Sequence, residues 1–233
     1  MRVGERMSDV TDPTARLFDQ WARDGQAERM QAGHLARASQ ALEALPIAPG
    51  QRLLDLGCGN GWATRMLHAR AGATGWCYGV DAAPDMIARA REQSALLDRI
   101  EFQVATFDAL PWPGDHFAHA FSFEALYYAP DLAAALAEVH RVLQPGGTLV
   151  AGTDFYAENP TCLGWPERMG VPMTLLSEQG WVDALAAAGF EVERTFRCLD
   201  PRPVDPAWPE AKRLAEERFR SEIGSLALVA VAG

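Results

Sequence analysis

The run Leu53-Leu54-Asp55-Leu56-Gly57-Cys58-Gly59-Asn60-Gly61 constrains this chain more than any other segment. Its apolar start reads as a buried strand, and its second half reads as a glycine-rich turn that opens a helix. Three glycines at alternate positions let the backbone pass close to a ligand where a Cβ would collide. Asp55 precedes them and puts a carboxylate at the mouth of the turn. A carboxylate there suits a ligand with positive charge and hydrogen-bond donors, and suits a pyrophosphate poorly.

The same alternation of strand and helix continues along the chain. Residues 14–45 read as helices, with Leu17, Phe18 and Trp21 at helical spacing and a second stretch from Gln26 to Leu45. Trp76 to Val80 is a second buried strand that ends at Asp81, and Pro84 starts a helix running to about Leu97. Strands follow at Ile100–Val104 and His116–Phe123, then a helix at Asp131–Leu143. Pro145-Gly146-Gly147 turns into a strand at Thr148–Thr153. Residues 156–176, rich in Pro, Gly and Met, read as an insertion or lid. Ser177 heads a helix to Ala188, although Gly180 stands where a full capping box needs Glu or Gln. Phe190–Arg197 and Leu226–Val231 complete seven strands, with a charged helical pattern at 209–222 between them. This order predicts an α/β fold, a mostly parallel sheet with helices on both faces. Such sheets bind ligands at the carboxyl ends of their strands, near the switch point of the strand order.

The 233 residues fit one domain, and a hydrophobic share of 48% is enough for a full core. No apolar run approaches the roughly 18 residues of a membrane span, so none is expected. The stretch Met1–Asp12 is polar and lacks the apolar segment of a secretory signal, which makes the cytoplasm the expected compartment. A formal net charge of −10 argues against a nucleic-acid partner. The four cysteines, at 58, 77, 162 and 198, form no CxxC pair, and His68, His116, His119 and His140 have no ligand spacing, so no metal site is expected. Cys58 fills a place in the glycine loop where a small side chain is needed.

Asp81 closes the second strand, where a carboxylate can accept both hydroxyls of a ribose; capping the helix at Pro84 is its other reading. Phe107-Asp108 follows the third strand, where the acid can accept from an adenine amine and the ring can cover the base; the competing reading is a turn aspartate beside a core phenylalanine. The segments LLDLGCGNGW, YGVDAAPDM, ATFDALPWPGDHFAHAFSFEALYY and LQPGGTLV, in this order, resemble the class I S-adenosylmethionine-dependent methyltransferases. The similarity is greatest to the type 11, small-molecule kind that includes the ubiquinone/menaquinone C-methyltransferases, and it covers about residues 50–155.

The resemblance implies a Rossmann-like sheet of seven strands, the last antiparallel, holding S-adenosylmethionine. It divides the single domain into a helical lid over 1–45, a cofactor-binding core over 50–155, an insertion or lid over 156–176, and the rest of the sheet over 177–233. It implies that Gly57, Gly59 and Gly61 lie near the methionine part of the cofactor, with Asp55 by its amino group. Asp81 would hold the ribose, Ala82 and Met86 would flank the adenine, and Asp108 would meet its amine beside Phe107. Ser122 and Phe123 would lie near the amino-acid tail and methyl group. Gly146 and Gly147 would form a structural turn and not a ligand contact.

Methyl transfer from a sulfonium is an in-line displacement that depends mainly on alignment, so no catalytic triad need show in the sequence. The acceptor is a small molecule on this reading, bordered by Phe18, Trp21, Met30 and His34 from the lid and by Glu124, Tyr127 and Tyr128 after strand four. Trp165, Met169 and Met173 would form an apolar lid. His34 is the first candidate for a base, with Glu124 and Tyr127 behind it, and a helix-surface histidine is the competing reading. Two other classes stay open: a nicotinamide-dependent oxidoreductase, which the GxGxG spacing disfavours, and a non-catalytic S-adenosylmethionine sensor or support subunit. The residues leave the acceptor's identity, the atom methylated and the oligomeric state undetermined.

Overall fold

The glycine run ends a strand at the centre of a seven-stranded sheet in the computed structural model, which describes residues 12–233. The strands are β1 (Arg52–Leu56), β2 (Trp76–Asp81), β3 (Ile100–Val104), β4 (Phe117–Phe123), β5 (Leu143–Thr153), β6 (Phe190–Cys198) and β7 (Ser225–Ala232). Their order is β3-β2-β1-β4-β5-β7-β6. Neighbours from β3 to β5 pair in parallel, and β7 runs antiparallel to both β5 and β6. This is the expected Rossmann-like sheet, and its strand order reverses between β1 and β4.

The helices are α1 (Pro13–Asp24), α2 (Gln26–Leu42), α3 (Trp62–Ala71), α4 (Pro84–Gln93), α5 (Leu132–Val142), α6 (Trp165–Met169), α7 (Glu178–Ala187) and α8 (Glu210–Arg218). Alternate residues of each strand face opposite sides of the sheet. Leu53, Phe121, Val150 and Val229 bury against α2 and α3 on one side. Leu54, Ala120, Leu149 and Leu228 bury against α5 and α7 on the other. Covered twice, the strands have to be apolar nearly throughout, which is why β1 and β7 read as hydrophobic runs. No helix among the described residues is long and apolar enough to cross a membrane.

Local signals set most of the boundaries. Asp12 accepts from the Thr14 N–H at 2.9 Å, and Pro13 starts α1. Gly25, at φ 77°, breaks α1 from α2. Ser177 accepts from the Gly180 N–H at 3.0 Å and starts α7. Glu178 does not complete a capping box and instead pairs with Arg197 of β6 at 2.7 Å.

Two boundaries need correction. The helix from Pro84 ends at Gln93 and not near Leu97, because Leu96 is 99% exposed and nothing apolar rewards another turn. The fifth strand begins at Leu143, since Leu143 already pairs with Phe117 ahead of an irregularity at Pro145-Gly146-Gly147. In residues 156–176, Trp165 stacks on Phe155 at 6.0 Å, Trp165 and Met173 pack against the main core, and the Tyr128 hydroxyl meets the Met169 sulfur at 3.7 Å.

Candidate active site

A cleft of about 1100 Å³, its open mouth included, lies at the carboxyl ends of β1 to β4. Gly57 and Gly59 form its floor at φ 71° and 51°. The Gly57 and Cys58 N–H groups both donate to the Val80 carbonyl, at 2.8 and 3.0 Å, which pins the loop to the end of β2. A Cβ on Gly59 would meet only the Met86 sulfur, at 4.0 Å. It would occupy the cleft itself.

Asp81 joins this floor to the next wall. One of its oxygens accepts from the Gly59 N–H at 3.0 Å and the other from the Ala83 N–H at 2.9 Å. The side chain therefore ties the glycine loop to the turn before α4 and also faces the cleft. Burial pushes its carboxyl up to about 6, against the pull of the surrounding backbone amides. Ala82, Met86, Phe107 and Asp108 line the same wall. Phe18 and Trp21 of α1 close it from above, Phe18 meeting Trp21 and Tyr128 edge to face, each at 5.1 Å.

Glu124 stands opposite, one residue beyond β4. It is a non-glycine residue at φ 60°, an uncommon conformation that concentrates at functional sites. Its N–H donates to the Gly152 carbonyl at 2.9 Å. One carboxyl oxygen accepts from the Asp154 N–H, and the other accepts from the Tyr127 hydroxyl at 2.9 Å. Burial, and then the Asp154 carboxylate, push the Glu124 carboxyl well above the usual range. His34 of α2 lines the cleft with its ring 5.9 Å from that of Phe123, and burial pushes its imidazole down to about 4, so it is neutral at physiological pH.

His34, Glu124 and Asp154 bring potential ligand atoms within 4.8 Å of one another. The Asp154 oxygens, however, already accept from Arg37 at 2.9 Å and from the Ser225 hydroxyl, and both Glu124 oxygens are engaged. A guanidinium supplies the positive charge that a metal ion would bring, so the donor set fits an acid–base cluster better than a metal seat.

A family model described as a methyltransferase domain matches residues 54–151. The methyltransferase chain of a complex with the Trm112 methyltransferase activator from Haloferax volcanii superposes with a TM-score of 0.86 and 33% identity, over 92% of this chain and 97% of that one. The chain belongs to the S-adenosylmethionine-dependent methyltransferases. A malonyl-[acyl-carrier protein] O-methyltransferase of Halorhodospira halophila is 38% identical over 66% of this chain and 52% of its own length. A 24-methylenesterol C-methyltransferase of Arabidopsis thaliana is 31% identical over 82% of this chain and 56% of its own length. The chain thus spans about half the length of these curated relatives.

Three residues that the family resemblance placed at the cofactor lie behind the cleft wall. Asp55 is 1% exposed and accepts from the Thr64 hydroxyl at 2.6 Å. With Leu54 and Leu56 turned to the α5 side, Asp55 faces α3. Gly61, at φ 79°, lets α3 start where a Cβ would press on the Phe102 ring at 2.8 Å. Ser122 donates to the Leu56 carbonyl at 3.2 Å and ties β4 to β1. The sequence reading missed Asp154, although a carboxylate just past a buried strand is the same signal that marked Asp81.

Burial pushes the Asp55 carboxyl up to about 7. A carboxyl raised above its unfolded value binds its proton more tightly when folded. Its penalty is absent below about pH 4, grows as pH rises towards 7 and is complete above that. Asp55→Asn is therefore expected to be more stable than the wild type at pH 8, by about 2 kcal/mol, with the gap closing towards pH 4. Urea denaturation at the two pH values checks this.

Proposed function

We propose that this methyltransferase moves a methyl group from S-adenosylmethionine to a small, largely apolar and uncharged acceptor, with Glu124 as the acid–base residue. The observation that carries the reading is the convergence of the Gly57–Gly59 floor, Asp81 and Phe107-Asp108 on one cleft, with Glu124 across from them. The fit to the cofactor rests on two features. Gly59 leaves a cradle that a side chain would fill, and each Asp81 oxygen keeps a lone pair beyond its single amide bond.

On this reading Asp81 holds the ribose hydroxyls, Ala82, Met86 and Phe107 flank the adenine, and Asp108 accepts from its amine. When bound, the cofactor supplies a methyl group on an already activated sulfonium. The chain's own task is alignment, from which such reactions draw roughly 7–11 kcal/mol. Phe18 and Trp21 cover the cleft and exclude water. Glu124 takes the proton of the acceptor atom, because burial makes its carboxylate a stronger base than usual.

The lining also selects the acceptor. Asp12, Asp81, Asp108 and Asp131 give the cleft four carboxylates beside the raised Glu124 carboxyl, and Tyr127, Tyr128, Met30 and Phe123 make its acceptor side apolar. Such a field repels a carboxylate or phosphate acceptor. A neutral skeleton of the sterol kind suits it better than a malonyl group, the two acceptor chemistries named for the relatives.

S-adenosylhomocysteine is expected to raise the melting temperature by linkage, and NAD to leave it unchanged. Its affinity should be constant above pH 7 and fall below about pH 6, where Asp81 takes a proton and loses acceptor capacity. Asp81→Ala should weaken binding by about 1.5–3 kcal/mol at neutral pH. Calorimetry that finds neither the pH dependence nor the loss would remove Asp81 from the cofactor site.

A further inference from the structure

Arg37 lies one helical turn beyond His34 on α2 and is 3% exposed. Its guanidinium joins three segments remote in sequence. One amino group donates to Asp154 Oδ2 at 2.9 Å, Nε donates to Ser225 Oγ at 2.8 Å, and the other amino group lies 3.6 Å from Asp200 Oδ2. The Ser225 hydroxyl donates to the second oxygen of Asp154, and the Asn159 amide donates to the Asp154 carbonyl at 2.7 Å. The guanidinium also covers the Phe219 ring at 4.9 Å. A rigid fork with its donors so committed fixes its partners in direction as well as in distance. Asp154, held by its carboxylate and its carbonyl, presents its N–H to Glu124 Oε1.

We propose that Arg37, acting through Asp154, is a positioning residue that holds the Glu124 carboxyl in place and sets how strongly it takes a proton. The covering helix α2 and the acid–base group then work as one unit. This rests on the acid–base role proposed for Glu124. A buried ion pair adds little stability relative to a well-packed apolar pair, so stability alone does not account for this one. Its two members act on Glu124 in opposite senses: the Asp154 carboxylate strengthens the hold on a proton, and Arg37 weakens it. The other titratable groups around Glu124 are His34 on α2, Tyr127 and Tyr128 in the 3-10 turn after β4, and the Cys162 thiol. The imidazole is neutral, and burial raises the tyrosines and the thiol, so Arg37 and Asp154 are the charges that set the balance.

The test is a carbon-13 NMR titration of the Glu124 carboxyl in the full-length protein, assigned by its loss in Glu124→Gln. Asp154→Asn is expected to lower the midpoint and Arg37→Gln to raise it, each by about one pH unit or more. Arg37→Lys keeps the charge but loses the fork, so its midpoint should fall between those of the wild type and Arg37→Gln. A midpoint unchanged in either Asp154→Asn or Arg37→Gln would overturn the proposal. If Arg37→Gln does not fold, Asp154→Asn decides by itself, and an unchanged midpoint there overturns it. No methyl acceptor enters the experiment, so its failure is separate from a failure of methyl transfer.

Discussion

Replacing Glu124 by glutamine is expected to lower kcat/KM for methyl transfer by about 10²–10⁴-fold and to leave S-adenosylhomocysteine binding nearly unchanged. Glutamine has the same shape and keeps an oxygen for the Asp154 N–H. The Tyr127 hydroxyl, which now donates to Glu124, can accept from the new amide instead. The left-handed backbone at this position is equally strained in both proteins. Only the capacity to take a proton is removed. The wild-type rate should fall as pH drops through the raised titration of Glu124, since the protonated carboxyl is no base. The variant should lose that limb of the profile and retain a low, flat rate. His34→Gln provides the contrast. With its imidazole held at about 4, His34 is neutral across pH 5–8, and its replacement should leave the limb where it is. Transfer of a labelled methyl group measures both. A Glu124→Gln protein with the wild-type rate and pH dependence would assign the proton to another group.

The parts of this molecule that depend on neighbours in sequence were legible, and the parts that depend on the third dimension were not. The glycine loop could be read because an apolar run gives way to residues that take positive φ, as Gly57, Gly59 and Gly61 do. Ser177 could be read as a cap because the bond it makes spans three residues. Asp55 was harder. Its proximity to the loop suggested a ligand contact, but strand alternation and the arrival of Thr64 on α3 turn it into the layer behind. Residues 156–176 have the composition of a lid, yet Trp165 finds Phe155 in the core. The Arg37 network left no local trace, because its partners are 117 and 188 residues away. Long-range polar pairing of this kind follows from the sheet order, which brings the ends of β5 and β7 under α2.

Gly57→Ala is expected to remove both stability and cofactor binding. Gly57 has φ +71°, and a Cβ there would lie 2.2 Å from the Ala125 Cβ and 3.4 Å from the Phe107 ring. The left-handed backbone costs about 1–2 kcal/mol for a side chain, and overpacking adds about 1–3 kcal/mol. Together they should lower the melting temperature by roughly 5–15 °C. Ala125 has no flexible side chain to move aside, so the relief has to come from backbone. Either Ala125 retreats and takes Glu124 with it, or the loop lifts into the cleft. Gly59→Ala separates the two effects. Its φ of +51° carries a similar backbone cost, but its Cβ would point into open cleft with only the Met86 sulfur at 4.0 Å. Binding should be lost there with a smaller drop in melting temperature. Adding Ala125→Gly to Gly57→Ala removes the colliding methyl group and should recover the overpacking share of the stability, leaving the backbone share. Melting temperatures with and without S-adenosylhomocysteine resolve the three variants. A Gly57→Ala protein that melts and binds like the wild type would mean that the loop and the turn after β4 do not meet as closely as this site requires.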